Sequence, residues 1–382
     1  MTIAAMVAPR NTSSETSRDS AAFASDSKTR KYNRRMRPLL LALAIAAAAA
    51  PGWQRSQDTA PLHITAVDGV AVGHHTLDER PTGCTVVLTE GGATGAVTVF
   101  GGAPGTTETD LLEPENLVDQ VHAVFLSGGS AFGLDVAGGV RRYLSEKKVG
   151  FAFGGAYVPI VPGAIIFDLP IGGRPEIRPG ADCGYAAAAA ASTGPVAEGN
   201  VGAGAGATVG KTLGRGRAMK GGLGSAALRL PDGLTVGAIA AVNAAGSIID
   251  PRTGRIVAGA RTASGDGFED IRAIVRGERL PRSGHAPENT TVVVVATNAR
   301  LTKAQAKRVA QMAQAGLART ILPVFTPGDG DTVFVLATGT WTDEADTGRV
   351  GALAAEAVSD AILRGVRAAT SIPGYPAARD IR

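Results

Sequence analysis

Cysteine is scarce in this chain, with Cys84 and Cys183 the only two in 382 residues. Two cysteines exclude a disulfide-stapled scaffold and a thiolate zinc motif, and both are expected to be small buried side chains rather than a bridge. Histidine is scarce too: five are scattered without H-E-x-x-H or similar spacing, so no metal site is expected. Aromatic residues make up 4% of the chain and do not alternate with basic ones, which argues against a single-strand nucleic-acid groove. The net charge is only +4, and much of that excess sits in Lys28, Arg30, Lys31, Arg34, Arg35 and Arg37, so no nucleic-acid partner is expected. Nucleotide fingerprints are missing as well. The turn Gly128-Gly129-Ser130 lacks G-x-G-x-x-G, and Gly210-Lys211-Thr212 follows Ala205 where a phosphate loop requires glycine. A nucleotide- or anion-binding protein built on the Gly128-Gly129-Ser130 turn remains a competing reading of a different class, but no cofactor is expected.

No apolar run is long enough to cross a bilayer. Residues 39–50 offer about a dozen, after the basic stretch 31–37, which suits the h-region of a signal peptide. Small residues at 48–52 offer a cleavage site. Residues 1–60 are therefore read as a polar tail plus signal, with an exported, periplasmic or secreted hydrolase domain over 61–382. Without a working signal the protein would stay cytoplasmic, and no stable membrane insertion is expected after signal removal.

Glycine, by contrast, is abundant at 51 residues, with long Ala/Gly/Val stretches. Small residues let backbones approach, so this composition suits helices layered tightly on sheet. The pattern predicts strands at 67–72, 85–89, 95–99, 121–126, 234–242, 292–295 and 332–335. Helices are predicted at 131–147, 186–192, 302–317 and 351–366. In 302–317, Ala306, Val309, Ala313 and Leu317 form the apolar side, with Lys303, Lys307, Gln311 and Gln314 opposite. Apolar strands flanked by helices imply a layered α/β body.

The chemistry-bearing residues sit at the ends of these strands. Asn289-Thr290-Thr291 leads into Val292-Val293-Val294-Val295, which puts Thr290 at the mouth of a buried strand. If the Asn289–Thr290 bond is cut, Thr290 carries an α-amine beside its hydroxyl. That amine titrates near ~7.7–8.0 and can act as the base for the hydroxyl nucleophile. Asp329 and Asp331 follow at alternate positions, so an extended chain turns both to one face. They could bond the nucleophile's hydroxyl and amine, or simply form an Asp-Gly turn. Lys211 ends the glycine-rich stretch 202–210 as a single placed charge, or as a solvated lysine. Asn243 ends the apolar run 234–242 as an oxyanion donor or as a turn residue.

Taken together, these residues resemble the DmpA-like aminopeptidase/amidase family, which includes β-peptidyl aminopeptidases, pantetheine hydrolases and nylon-oligomer hydrolases. The similarity runs from about Ile64 to Tyr375. It is supported by Phe125-Leu126-Ser127-Gly128-Gly129-Ser130-Ala131-Phe132-Gly133-Leu134-Asp135, by Pro159-Ile160-Val161-Pro162-Gly163-Ala164-Ile165-Ile166-Phe167-Asp168, by the 202–211 block and by Asp329-Gly330-Asp331-Thr332-Val333-Phe334. The resemblance implies an αββα sandwich of the N-terminal-nucleophile hydrolase type. It also implies self-cleavage at Asn289–Thr290 into an α chain, 61–289, and a β chain, 290–382. Thr290 is then the nucleophile, Asn243 the oxyanion donor, Asp329 and Asp331 the orienting acids, and Lys211 the lysine of the nylon-oligomer hydrolases. Phe132 stands where relatives often carry a Tyr near the substrate, which removes a hydroxyl. Phe325 stands where many have His. Threonine at 290 and the acidic pair lean towards the nylon-oligomer and pantetheine hydrolases. The expected function is hydrolysis of amide bonds in small peptides or linear amide oligomers through an acyl-enzyme. Aminopeptidase action on β- or D-amino-acid amides and pantetheine-type amidase action are the alternatives, and an unprocessed relative that only binds small amides is a third. A homo-oligomer of αβ units is expected by resemblance alone.

Overall fold

The computed structural model describes residues 61–278 and 289–381. The tail, the apolar segment 39–50 and residues 279–288, which precede Asn289, lie outside the described residues. Among the described residues, nine strands form one hydrogen-bonded sheet: β1 (Ala71–Thr76), β2 (Gly83–Val99), β3 (Thr106–Thr107), β4 (Gln120–Ser127), β5 (Gly163–Ile165), β6 (Gly222–Arg229), β7 (Thr235–Asn243), β8 (Thr290–Thr297) and β9 (Thr332–Ala337). Their order is β6-β7-β8-β9-β2-β4-β5-β3, with β1 beside β2. The helices are α1 (Val136–Glu146), α2 (Ala181–Ala189), α3 (Ile271–Val275), α4 (Lys303–Thr320) and α5 (Thr347–Ala368).

The two-residue period of the strands sorts their side chains into three cores. Val293 and Val295 of β8 and Val333 and Val335 of β9 face Ala306, Val309, Ala313 and Leu317 of α4, together with Val358 and Ile362 of α5. The intervening Val292, Val294, Phe334 and Leu336, with Val97 beside Phe334, face Val87, Val124 and Leu126 of β2 and β4. On the far side, Val86, Leu88, Ala123 and Phe125 pack against Val140 and Leu144 of α1 and Ala187 of α2. Three interlayer cores separate four layers, so the architecture is the αββα sandwich expected. The continuous sheet folds over itself at β2, whose register shifts between Leu88 and Ala93. Residues 83–88 pair with β1 and 94–99 with β9. Irregular pairing of this kind bends a strand.

Several elements differ from their predicted form. The strands predicted at 85–89 and 95–99 are one strand of 17 residues, β2. The strand predicted at 67–72 begins only at Ala71, after a 3-10 turn, Ile64–Ala66. The helix predicted at 131–147 opens as a 3-10 segment, Ser130–Asp135, and α2 starts five residues before the predicted 186. β6 was not predicted, because Gly222-Leu223-Gly224-Ser225 shows little β-propensity. Its glycines admit α5: a Cβ on Gly224 would lie 2.2 Å from Ala361 O.

On α4 the apolar stripe is buried as predicted, and Thr302 and Gln305 form a capping box. Lys303 and Gln314 are also buried, however, instead of facing solvent. Lys303 Nζ donates to Leu111 O and Asn116 O, and Gln314 Nε2 to Thr98 O, because the 110–118 loop and the end of β2 cover that flank.

The cysteines require a correction. Both are buried as expected, but they form a disulfide across 99 residues of sequence. Cys84 on β2 and Cys183 on α2 share the third core, with Cα atoms 6.2 Å apart, within the span a disulfide bridges. A separation that long leaves no local spacing signal in the sequence.

Candidate active site

Sheet topology brings three strand ends together. β8 and β9 are parallel and start at the same edge, while β7 runs antiparallel to β8 and finishes there. Thr290, the first residue of β8, therefore lies opposite Asn243, the last of β7. The turn 329–331 leads into β9 beside them, and Asn289 and Asp329 form a parallel bridge. Thr290, Asn243, Asp329 and Asp331 are all buried.

Lys211 joins them from the glycine-rich loop. Gly210 takes φ 71°, a left-handed conformation that glycine adopts without strain, and turns the chain into Lys211. The Lys211 Nζ donates to both Asn243 O and Asn243 Oδ1, each at 2.9 Å. Thr208 N donates to the same Oδ1 at 3.0 Å. With the Thr208 hydroxyl a further donor at 3.4 Å, these contacts on Oδ1 fix the amide's orientation and leave Nδ2 as its donating end, 3.3 Å from Phe167 O.

The carboxylates are held by backbone amides. Asp331 Oδ1 accepts from Thr291 N at 2.6 Å and Oδ2 from Phe325 N at 3.1 Å. Asp329 Oδ2 accepts from Thr326 N at 2.8 Å, while its buried Oδ1 has no hydrogen-bond partner among the described residues. Burial, then the Asp329 charge, push the Asp331 carboxyl up to about 7; the Thr291 and Phe325 amides and Lys211 act in the opposite sense.

The aspartates do not bond the Thr290 hydroxyl in this uncleaved chain. That hydroxyl donates to Asn289 O at 2.5 Å, and Gly330 N donates to the same oxygen at 2.9 Å. With the Asn289–Thr290 bond intact there is no α-amine for the carboxylates to meet. Gly330 has no room for a side chain, since a Cβ there would lie 2.8 Å from Thr290 Oγ1 and from Ala103 O.

The structure thus gathers Thr290, Asn289, Lys211, Asn243, Asp329 and Asp331. Phe132 is not drawn into this cluster by any hydrogen bond or ring contact among the described residues. It is 52% exposed and lies under the Arg178 guanidinium, 3.7 Å from its ring centre.

Sequence reasoning missed Lys220, which is fully buried and donates from Nζ to Gly204 O, Ala207 O and Gly221 O within 3.1 Å. It ties down the loop that carries Thr208 and Lys211. Burial lowers its ammonium to about 7, opposed by the Asp168 charge. Also missed were the amide donors of Phe325, Thr326 and Gly330, which no side-chain identity could signal. Phe325 itself takes φ 57°, an unusual conformation for a bulky residue, which accompanies the aim of its N–H at Asp331. Among the described residues, no group of three or more His, Cys, Asp or Glu is arranged to hold a metal ion.

A model of peptidase family S58 matches residues 63–379. An uncharacterized aminopeptidase of Mycobacterium tuberculosis is 45% identical over 343 residues, covering 83% of this chain and 97% of the relative. The 6-aminohexanoate-oligomer endohydrolase of Kocuria sp. is 32% identical over 319 residues, covering 78% and 84%. Among solved structures, a Burkholderia sp. beta-aminopeptidase superposes with a TM-score of 0.57 at 26% identity, covering 82% of this chain and 89% of that one. The l-aminopeptidase d-ala-esterase/amidase of Ochrobactrum anthropi, described as a variant of the Ntn hydrolase fold, superposes with a TM-score of 0.60 at 18% identity, covering 84% and 93%. That likeness supports the fold.

Proposed function

Because the chain belongs to peptidase family S58 and is an amide hydrolase, we propose that Thr290 is its nucleophile, released by self-cleavage of the Asn289–Thr290 bond. The observation that carries this reading is the meeting of Thr290, Asn243, Lys211 and the 329–331 turn at one edge of the sheet. In the cleaved enzyme the Thr290 hydroxyl attacks a substrate amide carbonyl, and the freed α-amine or Lys211 takes its proton. Asn243 Nδ2, oriented by the donors on its Oδ1, meets the oxyanion. The proton passes to the leaving amine, and water then hydrolyses the acyl-enzyme. Asp329 and Asp331 hold the β8 entrance and receive the new amine; the unpartnered Asp329 Oδ1 is suited to it.

Small peptides or linear amide oligomers are the proposed substrates, on the likeness to the 6-aminohexanoate-oligomer endohydrolase. The likeness to a beta-aminopeptidase supports a second reading, aminopeptidase action on β-amino-acid amides. Export is proposed from the 39–50 segment together with the disulfide, a bond that persists in oxidising compartments. Fractionation of producing cells tests it. A homo-oligomer is proposed as well, supported by the apolar residues Phe153, Tyr157 and Val158 exposed on one hairpin; light scattering tests it.

The deciding experiment is intact mass after incubation at neutral pH, followed by assay on linear 6-aminohexanoate oligomers and β-alanyl anilides. The expected result is a fragment spanning residues 290–382 and turnover of one of these substrate classes. Thr290→Ala should remain a single inactive chain. A processed, active Thr290→Ala protein would sink the proposal.

A further inference from the structure

The carbonyl that must be attacked in self-cleavage is Asn289 C=O, and among the described residues its oxygen has two donors: the Thr290 hydroxyl and Gly330 N–H. When the hydroxyl turns from donor to attacker, Gly330 N–H remains on that oxygen. Asn243 Nδ2 points instead at Phe167 O, and its amide cannot swing freely because Lys211 and Thr208 hold Oδ1. The isolated bridge between Asn289 and Asp329 keeps the register of the parallel β8–β9 ladder three residues before that ladder begins, so Gly330 N–H is in place on the Asn289 oxygen before any chemistry begins. A donor already in position costs no reorganisation as charge develops on the oxygen.

We infer that Gly330 N–H is the oxyanion donor of the self-cleavage step, distinct from the Asn243 amide that serves substrate turnover. Thr290 Oγ1 bonds to the Asn289 carbonyl carbon, and the carbonyl electron pair moves onto the oxygen held by Gly330. As that pair returns, the C–N bond breaks, and the hydroxyl proton ends on the departing Thr290 nitrogen. Water then adds to the resulting ester, leaving the Asn289 carboxylate and restoring the Thr290 hydroxyl beside a free amine. Glycine is required at 330 because a Cβ would come within 2.8 Å of the attacking oxygen.

This inference rests on the self-cleavage proposed above, and the test separates the two. Glycolic acid in place of Gly330, introduced as a backbone ester, deletes the N–H without adding a side-chain atom, and weakens only the Asp329 carbonyl that meets Ala103 N–H. Cleavage is followed by intact mass against time, with folding checked by near-ultraviolet circular dichroism. Wild type should yield the 290–382 fragment, and the ester variant should do so about 10²–10³-fold more slowly, the usual effect of losing one such donor. A wild-type chain that never cleaves overturns the underlying reading and this inference with it. Normal wild-type cleavage with an equally fast ester variant overturns the inference alone. If the ester variant does not fold, Gly330→Ala decides: cleavage at least about tenfold slower in a folded protein supports the inference, because the methyl displaces the donor or Thr290 Oγ1. Cleavage at the wild-type rate overturns it.

Discussion

At the residue scale, two side chains give opposed kinds of test. Asn243 is held through its oxygen and donates through Nδ2, so its truncation removes an aimed donor. Asn243→Ala should lower kcat on amide substrates by about 10²–10³-fold, or about 2.7–4 kcal/mol, in steady-state assays of processed enzyme. Asp331 is a test of pH. An unfolded Asp titrates near ~3.9, whereas burial and Asp329 raise Asp331 to about 7 in the folded, uncleaved chain. The folded state therefore binds the extra proton between those values. The associated stability is fully present below ~3.9 and is lost as pH rises to 7. In the uncleavable Thr290→Ala background, Asp331 should make the melting temperature fall across pH 4–7. Adding Asp331→Asn should flatten that fall, and equal slopes would show that Asp331 is not its source.

At the scale of elements, close backbone approach governs the packing of β6 on α5. Ala at Gly224 would bring a methyl within 2.2 Å of Ala361 O and Gly365 N. Gly224→Ala should therefore cost about 1–3 kcal/mol in chemical denaturation, the usual range for overpacking. The same element marks a boundary of what could be read from the residues. β8 was legible because four consecutive valines buried on both faces leave few alternatives to a central strand. Thr290, Asn243, Asp329 and Asp331 were legible because each lies at the end of such a run. β6 was obscure because its glycines answer to a helix that follows more than a hundred residues later. Lys220 was obscure because its three partners are backbone carbonyls. Cys84 and Cys183 were misread as unpaired for a similar reason: the fold, not their spacing, makes them neighbours.

For the whole molecule, that disulfide closes a long stretch of chain and couples α2 to β2. Its reduction in the intact protein should lower unfolding free energy by about 2–4 kcal/mol, read as a lower denaturation midpoint in reducing buffer. The sheet order carries a further consequence for the proposed cleavage. Everything after Asn289 contributes β8 and β9 as an adjacent pair, flanked by β7 on one side and β2 on the other. Both flanking strands come from before the cut. The later piece is therefore dovetailed into the earlier one, with ladders along both outer edges. Cutting one peptide bond opens neither seam. The two polypeptides should co-elute through any native separation and come apart only in a single concerted melting event.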